Sequence, residues 1–444
     1  MTQQQERASL EDRVARILEV AKQRGADAAE VAVSRSEGLA VTVRRGEVET
    51  VEQTRDQGFG ISVYLGRCKG SASTSDSSPD AIEATVAKAL NIARFTAEDP
   101  AAGLADAELM PTGVLPELDL FHPWALDVAA ATELAQACEA AALNADARIS
   151  NSEGATTSSS RSWRGYGNSH GFIGSEPATR HGLSVSVIAG RDSGMQRDYA
   201  YTVDRVPEAL EAAAAVGRRA GERAVARLGA RPVPTARVPV LFGHDVASGL
   251  LGHFIAAISG GNLYRRSSFL LDALGNEVFP ERVTIEECPH LPRALGSAAF
   301  DSDGVATRAK RLVEGGVLAS YVLSAYSARR LKLATTGNAG GIHNLRISDD
   351  GLDFEAMLAR LGRGLLVTEL MGQGVNGVTG DYSRGAAGFW VEDGAIAYPV
   401  QEVTIAGNLK DMYLNIDAIG NDAVRPGNIV CGSMLVDGMT VSGA

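Results

Sequence analysis

Four cysteines in 444 residues, at positions 68, 138, 288 and 431, lie too far apart to make a C-x-x-C pair. That scarcity excludes a disulfide framework and a cysteine-built structural zinc knuckle, and it fits a reducing compartment. No long basic run occurs, and the formal charge is −12. Phosphate binding needs clustered Lys and Arg, so a nucleic-acid face is not expected. No apolar run reaches the ~18 residues of a membrane span, and the opening residues Met1-Thr-Gln-Gln-Gln-Glu-Arg-Ala8 lack the apolar core of a signal peptide. A cytoplasmic protein without membrane contact is the expectation. G-x-S-x-G is absent, and no Cys and His stand at a spacing that proposes a nucleophilic pair. Cys288-Pro-His290 reads as a loop. What remains, 45% hydrophobic and 22% charged residues, is a globular composition long enough for two or three domains.

The fold class expected is α+β. Leu10, Val14, Ile17, Leu18 and Ala21 recur at helical spacing, with Ser9 as N-cap and Gly25 as terminator. Strands are expected at 29–33, 39–44, 48–54, 60–65 and 69–73, followed by a helix that Ser78 caps and Pro79 opens. The phrase Ile61-Ser-Val-Tyr-Leu-Gly-Arg67 is echoed by Val185-Ser-Val-Ile-Ala-Gly-Arg191. Either residues 1–228 contain an internal duplication, 1–100 against 124–228, or a common strand–turn pattern has recurred. Pro232, Pro234 and Pro239 mark 229–237 as a stiff linker. Beyond it, 238–444 reads as an antiparallel, barrel-like sheet decorated by helices at 245–258, 324–333, 352–361 and 408–419. Hairpin tips are expected at Glu314-Gly-Gly316 and Glu392-Asp-Gly394.

The densest chemistry lies in Leu370-Met-Gly-Gln-Gly-Val-Asn-Gly-Val-Thr-Gly-Asp-Tyr-Ser-Arg-Gly-Ala-Ala-Gly-Phe-Trp390. Its glycines permit positive φ or close approach of a second chain. Gly372-Gln-Gly-Val-Asn-Gly377 satisfies G-x-G-x-x-G, but Val378-Thr-Gly-Asp381 cannot open a helix, so no helix N-terminus awaits a pyrophosphate. Together with Ile258-Ser-Gly-Gly-Asn-Leu-Tyr-Arg265, Gly337-Asn-Ala-Gly-Gly-Ile-His-Asn344 and Thr368-Glu-Leu-Met-Gly-Gln-Gly374, the segment closely resembles the TldD/PmbA family in its PmbA branch, also called TldE. The resemblance is strong from about Val238 onward and looser before it. It implies a cytoplasmic, zinc-dependent protease assembled from TldD and PmbA subunits that acts on peptides and small proteins.

A helical metalloprotease motif needs two His on one helix face and a Glu to activate water. The TldD subunit carries His-Glu-x-x-x-His, and Leu251-Gly-His-Phe-Ile-Ala-Ala257 occupies the matching helix here. The ligand positions fall on Gly252 and Ala257, and the Glu position on His253. The resemblance therefore implies no metal and no cofactor in this chain, with zinc held by the TldD-type partner. His253 reads as a histidine of a core or subunit interface, and His244 lies nine residues before it. Cys431 matches a cysteine that is a further zinc ligand in TldD, and without the histidines it reads as a buried thiol.

Asp381, Tyr382, Ser383 and Arg384 are either a channel wall that receives a peptide or a tight loop in which Asp and Arg satisfy one another. His343 and Asn344 carry the same two readings. Tyr264, Arg265 and Arg266 either face a partner's acid or form a solvated cationic patch. The expected substrate-binding set is Gly372, Gly374, Gly377, Asp381, Tyr382, Arg384, His343 and Asn344, with an extended peptide lying along 372–388. Three functions compete: the PmbA-type subunit of a two-component protease, an independent metallopeptidase using His244, His253 and Cys431, and a non-enzymatic regulator that binds small proteins. A homodimer in the absence of partner is also open.

Overall fold

The computed structural model describes residues 3–424 and 427–443. The first part of the chain runs α1 (Gln3–Gln23), β1 (Ala28–Arg44), β2 (Glu47–Leu65), β3 (Cys68–Thr74), α2 (Pro79–Phe95), α3 (Val128–Leu143), β4 (Ile149–Asn168), β5 (Ile173–Ala189), β6 (Gln196–Asp204) and α4 (Ala213–Ala226). Its strands form one antiparallel sheet in the order β3-β2-β1-β4-β5-β6. Each half is helix, three strands, helix, and the halves meet at β1 and β4, the element order that a duplication requires.

Helices cover one face in two pairs. Leu10, Val14 and Ile17 of α1 and Ile82 and Val86 of α2 pack on Val31, Val33, Phe59 and Ile61. Ala135 and Cys138 of α3 and Val216 and Ala220 of α4 pack on Val43, Val185 and Val187. Between the pairs the sheet is open over a groove of about 940 Å³. Its floor is held by Glu37, which accepts from Arg35 and Arg161, while both guanidinium groups lie on the Trp163 ring.

Three local expectations change. β1 and β2 are each one continuous strand where two shorter ones were expected, because their ladder continues through polar residues and glycines that show no apolar alternation. Ser9 lies inside α1, which begins at Gln3 and is tied to the sheet by Glu6 accepting from Arg35 at 2.7 Å. The 408–419 helix stops at Leu414, and Ile416–Ile419 is a strand. Ser78 does cap α2, accepting from Ala81 N, and both hairpin tips are where the turn residues put them.

After α4 the chain continues through β7 (Ala236–Phe242), α5 (His244–Ala257), α6 (Gly260–Tyr264), β8 (Ile285–Glu287), β9 (Lys310–Glu314), β10 (Val317–Leu318), α7 (Ala325–Leu331), β11 (Leu345–Ile347), α8 (Phe354–Leu361), β12 (Gly364–Met371), β13 (Asp381–Glu392), β14 (Ala395–Asn408), α9 (Leu409–Leu414), β15 (Ile416–Ile419), β16 (Ile429–Val430) and β17 (Met434–Ser442). The order β14-β13-β12-β7-β17-β15 closes on itself because β14 also pairs with β17. A barrel results, antiparallel except for β7 with β12, whose parallel pairing follows from the long crossover that joins them. Along β7, Val240 and Phe242 enter the core shared with α5, while Leu241 faces α8 through Met357, Leu358 and Leu361. A second sheet, β10-β9-β8-β11-β16, packs beside it. The proline-rich linker is docked: Arg231 N bonds Pro399 O, and its guanidinium stands 3.8 Å from the Tyr398 ring centroid.

Helices α3 and α4 cross at Gly217, where a Cβ would lie 2.2 Å from the Cys138 carbonyl oxygen. Backbone cannot yield as a flexible side chain can. Gly217→Val should therefore destabilise the chain by about 3 kcal/mol or more, measured by chemical denaturation, whereas Gly229→Val, at an exposed turn with open space around it, should cost only the strain of a positive φ.

Candidate functional site

Helix α5 starts where β7 ends. Gly243 N bonds Val367 O, and the Gly243 carbonyl accepts from Val246 and Ala247, so the helix leaves the barrel wall at a fixed angle. Ala247, Leu250, Leu251 and Phe254 are buried on one side of it. Gly252, His253 and Ala256 face the other way. A Cβ at Gly252 would meet nothing within 4 Å, so the helix surface is open there.

The β13 strand supplies the other half of this face. Strand alternation puts Tyr382 and Arg384 on one side and Asp381 and Ser383 on the other. The His253 ring stands edge-on to Tyr382 with centroids 6.1 Å apart and planes at 76°. Burial, reinforced by the charge of Arg384, lowers the His253 pKa, so the ring is neutral at physiological pH. Tyr382 is 1% exposed, and its hydroxyl has no well-formed hydrogen bond among the described residues, although Arg384 lies close enough to interact with it. Burial pushes that hydroxyl up to about 12 against the opposing pull of Arg384. Leaving such a group unpaired costs about 1–3 kcal/mol. Arg384 has one long bond, 3.4 Å to Met371 O, and no carboxylate partner among the described residues. Its expected partner Asp381 is engaged elsewhere, accepting from Thr379 at 2.6 Å and from Asn408 at 3.2 Å.

The glycines have separate reasons. Gly374 lies against its own strand: a Cβ there would sit 1.8 Å from Ser383 O. Gly372 takes φ +75. Gly377 has open space around it, and its carbonyl accepts from Phe269 N. The expected extended peptide along 372–388 is not accommodated as a strand. β13 is flanked by β12 and β14, and residues 374–376 complete its first turn through Ser383 N to Gly374 O and Asn376 N to Asp381 O. No free edge is left for main-chain pairing.

His343 and Asn344 are also placed differently from a channel wall. Both are buried. Glu287, fully buried, accepts from His343 N at 2.6 Å, His343 Nδ1 at 2.9 Å, Asn338 at 2.8 Å and Lys310 at 2.6 Å. Burial alone would raise its pKa, yet these donors hold it down at about 2. Asn344 bonds Cys288 O, Ser297 Oγ and Gly296 N. This network braces β8 against β9 and the 337–344 loop. Sequence reasoning missed Glu287 and Lys310, since nothing in their spacing marks them as partners. Tyr264 is covered by Arg265 and Arg330, whose guanidinium carbons lie 5.2 and 5.4 Å from its ring centroid.

The residues of an independent metal site do not converge. His244 contacts Asp245 at 3.3 Å and Asp422 at 3.5 Å, and those pairings raise its pKa to about 9. A protonated imidazole has no lone pair for a metal. Cys431 is buried, and burial, then the charge of Asp422, pushes its thiol up to about 12. Among the described residues no three His, Cys, Asp or Glu side chains are grouped so as to hold an ion. Zinc therefore does not fit this chain's own residues.

Because the folded pKa of His244 lies above its ordinary value of 6.5, its contribution to stability is full below about pH 6.5 and fades as pH rises through about 9. His244→Asn should destabilise by roughly 1–2 kcal/mol at pH 6, after allowance for solvent screening, and by much less at pH 10. Denaturation at the two pH values checks this. An equal loss at both would show that packing, not charge, is what His244 contributes.

The chain matches three family descriptions in register: PmbA/TldA metallopeptidase domain 1 over residues 29–93, the central domain over 121–228 and the C-terminal domain over 235–443. It is 51% identical to Metalloprotease PmbA of Escherichia coli O157:H7, over 99% of this chain and 97% of that one. Against the Metalloprotease PmbA homolog of Haemophilus influenzae identity is 49%, over 96% and 94%. In structure it resembles a candidate modulator of DNA gyrase from Bacteroides thetaiotaomicron, with TM-score 0.92, 27% identity and 98% of each chain covered. TldE from Thermococcus kodakarensis, at 20% identity, TM-score 0.85 and coverage of 97% and 100%, shares the fold. Identity of this extent along the whole length, with the fold to match, establishes that the chain belongs to the PmbA/TldD metallopeptidase family, in its PmbA, or TldE, branch.

Proposed function

We propose that this chain is the non-catalytic subunit of a two-component zinc-dependent protease, working in the cytoplasm with a TldD-type partner on peptides or small proteins. One observation carries the reading: α5 corresponds to the zinc helix of the TldD-type subunit but has Gly252, His253 and Ala257 at its ligand and glutamate positions, while the open face around Gly252 and His253 retains the unpaired Tyr382 hydroxyl. The partner holds the zinc and does the hydrolysis. This chain supplies the α5–β13 face, together with the 372–380 loop, as a wall against which a peptide is held through side chains. The description of structural neighbours as candidate modulators of DNA gyrase favours a second reading, a regulator that binds small proteins without cleaving them. Among the described residues no helix is long and apolar enough to cross a membrane.

Tag-free, metal-replete chain should contain far less than one zinc per molecule by elemental analysis, and should not cleave peptides alone. Mixed with a TldD-type subunit it should be required for cleavage, and Cys431→Ala should leave that activity within about twofold. One tightly held zinc per chain, or loss of activity in the Cys431 variant, would favour an independent metallopeptidase. Binding of small proteins with no cleavage in the mixture would favour the regulator.

Gly252 separates folding from function. Glycine inside a helix costs about 1 kcal/mol relative to alanine, and the space beyond its missing Cβ is open. Gly252→Leu should therefore keep or raise stability yet weaken peptide capture by roughly tenfold, about 1.4 kcal/mol, by blocking the face. Unchanged peptide affinity in the folded variant would remove α5 from the binding wall.

A further inference from the structure

His253, Tyr382 and Arg384 stand together with no carboxylate among the described residues to accept from them. Strand alternation brings Tyr382 and Arg384 to one face of β13, and His253 reaches that face from α5 with its ring against Tyr382. The Tyr382 hydroxyl is buried and unpaired. Among the described residues His253 makes no hydrogen bond, and Arg384 bonds Met371 O at 3.4 Å and lies close enough to Tyr382 to interact with its hydroxyl. Asp381 is on the opposite side of the strand, tied to Thr379 and Asn408. Buried polar groups in folded proteins are nearly always paired, so the unsatisfied Tyr382 hydroxyl, beside an arginine with no carboxylate partner among the described residues, points to a ligand absent from the isolated chain. The open space above Gly252, the residue before His253, gives such a ligand a way in.

We infer that His253, Tyr382 and Arg384 form a receptor for one carboxylate of a bound peptide, either its C-terminal carboxylate or an Asp or Glu side chain. The inference rests on reading this face as the peptide-holding wall. Charge selects the ligand. Burial keeps His253 neutral and Tyr382 protonated, so Arg384 is the one full charge at the site, matched to a monoanion. A guanidinium offers two parallel N–H groups to a carboxylate, and a phenol O–H and an imidazole N–H can fill the remaining lone pairs. Hydrogen bonds from charged donors are the stronger kind, so Arg384 should dominate and Tyr382 should add to it.

The test uses the full chain and four probes: an N-acetylated hexa-alanine with a free C-terminus, its C-terminal amide, the amide with one central Ala replaced by Glu, and inorganic phosphate as competitor. Binding is followed by calorimetry. At least tenfold preference for the free acid over the amide is expected, lost in Arg384→Gln and reduced in Tyr382→Phe, a change that keeps the ring and hence the packing. If the Glu-bearing amide binds like the free acid, a side-chain carboxylate is the ligand; if it binds like the plain amide, the C-terminal carboxylate is. Equal binding of all three peptides would overturn the receptor while leaving the peptide-holding wall intact. No binding of any peptide would overturn both. Persistence of the preference in folded Arg384→Gln, or phosphate competing as well as the free-acid peptide, would also overturn it.

Discussion

The pairing of β14 with β17, Thr404 to Ser442 and Ile405 to Val441, is the constraint on which the C-terminal half depends. It turns an open sheet into a barrel and so covers the outer edge of β14 at Thr404–Ala406, while β13 is already held between β12 and β14. Closure demands sharp local bends, and bulges appear between Val367 and Glu369, Ala386 and Gly388, Trp390 and Val391, and Val436 and Met439. At Gly388 the strands come so close that a Cβ would lie 1.9 Å from Leu366 O. The glycine-rich character of this region is thus first a requirement of barrel geometry. A consequence follows for recognition: with the main-chain groups of β13 spent inside the barrel, a ligand there must be met by side chains, and those that face it are Tyr382, Arg384 and His253.

That consequence explains which parts of the site could be read from the sequence. The helix of residues 244–257 is announced by its apolar periodicity, and the missing zinc ligands are visible as Gly252 and Ala257 without any structure. The roles of the glycines were not visible, because Gly374 beside its own Ser383 and a glycine beside a foreign chain have the same sequence signature. His343 and Asn344 look like site residues for the same reason that they are buried ones: polar side chains after Gly-Gly serve equally to line a pocket or to satisfy Glu287. Only the position of Glu287, more than fifty residues earlier in the chain, decides between these, and no local pattern encodes that distance.

The N-terminal sheet shows the converse. Its strands were underestimated at 34–38 and 55–59, where polar residues and glycine interrupt the apolar pattern, and hydrophobic alternation, the usual strand signal, reports burial of a face more than pairing of a backbone. The ladder persists because β1 is hydrogen-bonded on both sides, to β2 and β4. Where helices do cover the sheet, apolar spacing returns and the elements are legible: Ser78, Pro79, Ile82, Val86 and Leu90 describe α2 closely.

The two histidines of α5 are not arranged as a pair of zinc ligands. A zinc ligand must be neutral, directed at the ion and joined by others. His244 is directed at carboxylates that hold it protonated, and Asp245 is in turn fastened to Arg223 of α4 at 2.7 Å, so this histidine is committed to joining the two halves of the molecule. His253 is kept neutral by burial, yet its neighbours are Tyr382 and Arg384, a donor and a cation, which would repel a metal and attract an anion. Restoring zinc would therefore take more than returning two histidines and a glutamate to the helix, because the β13 side of the face has a charge suited to the opposite kind of ligand.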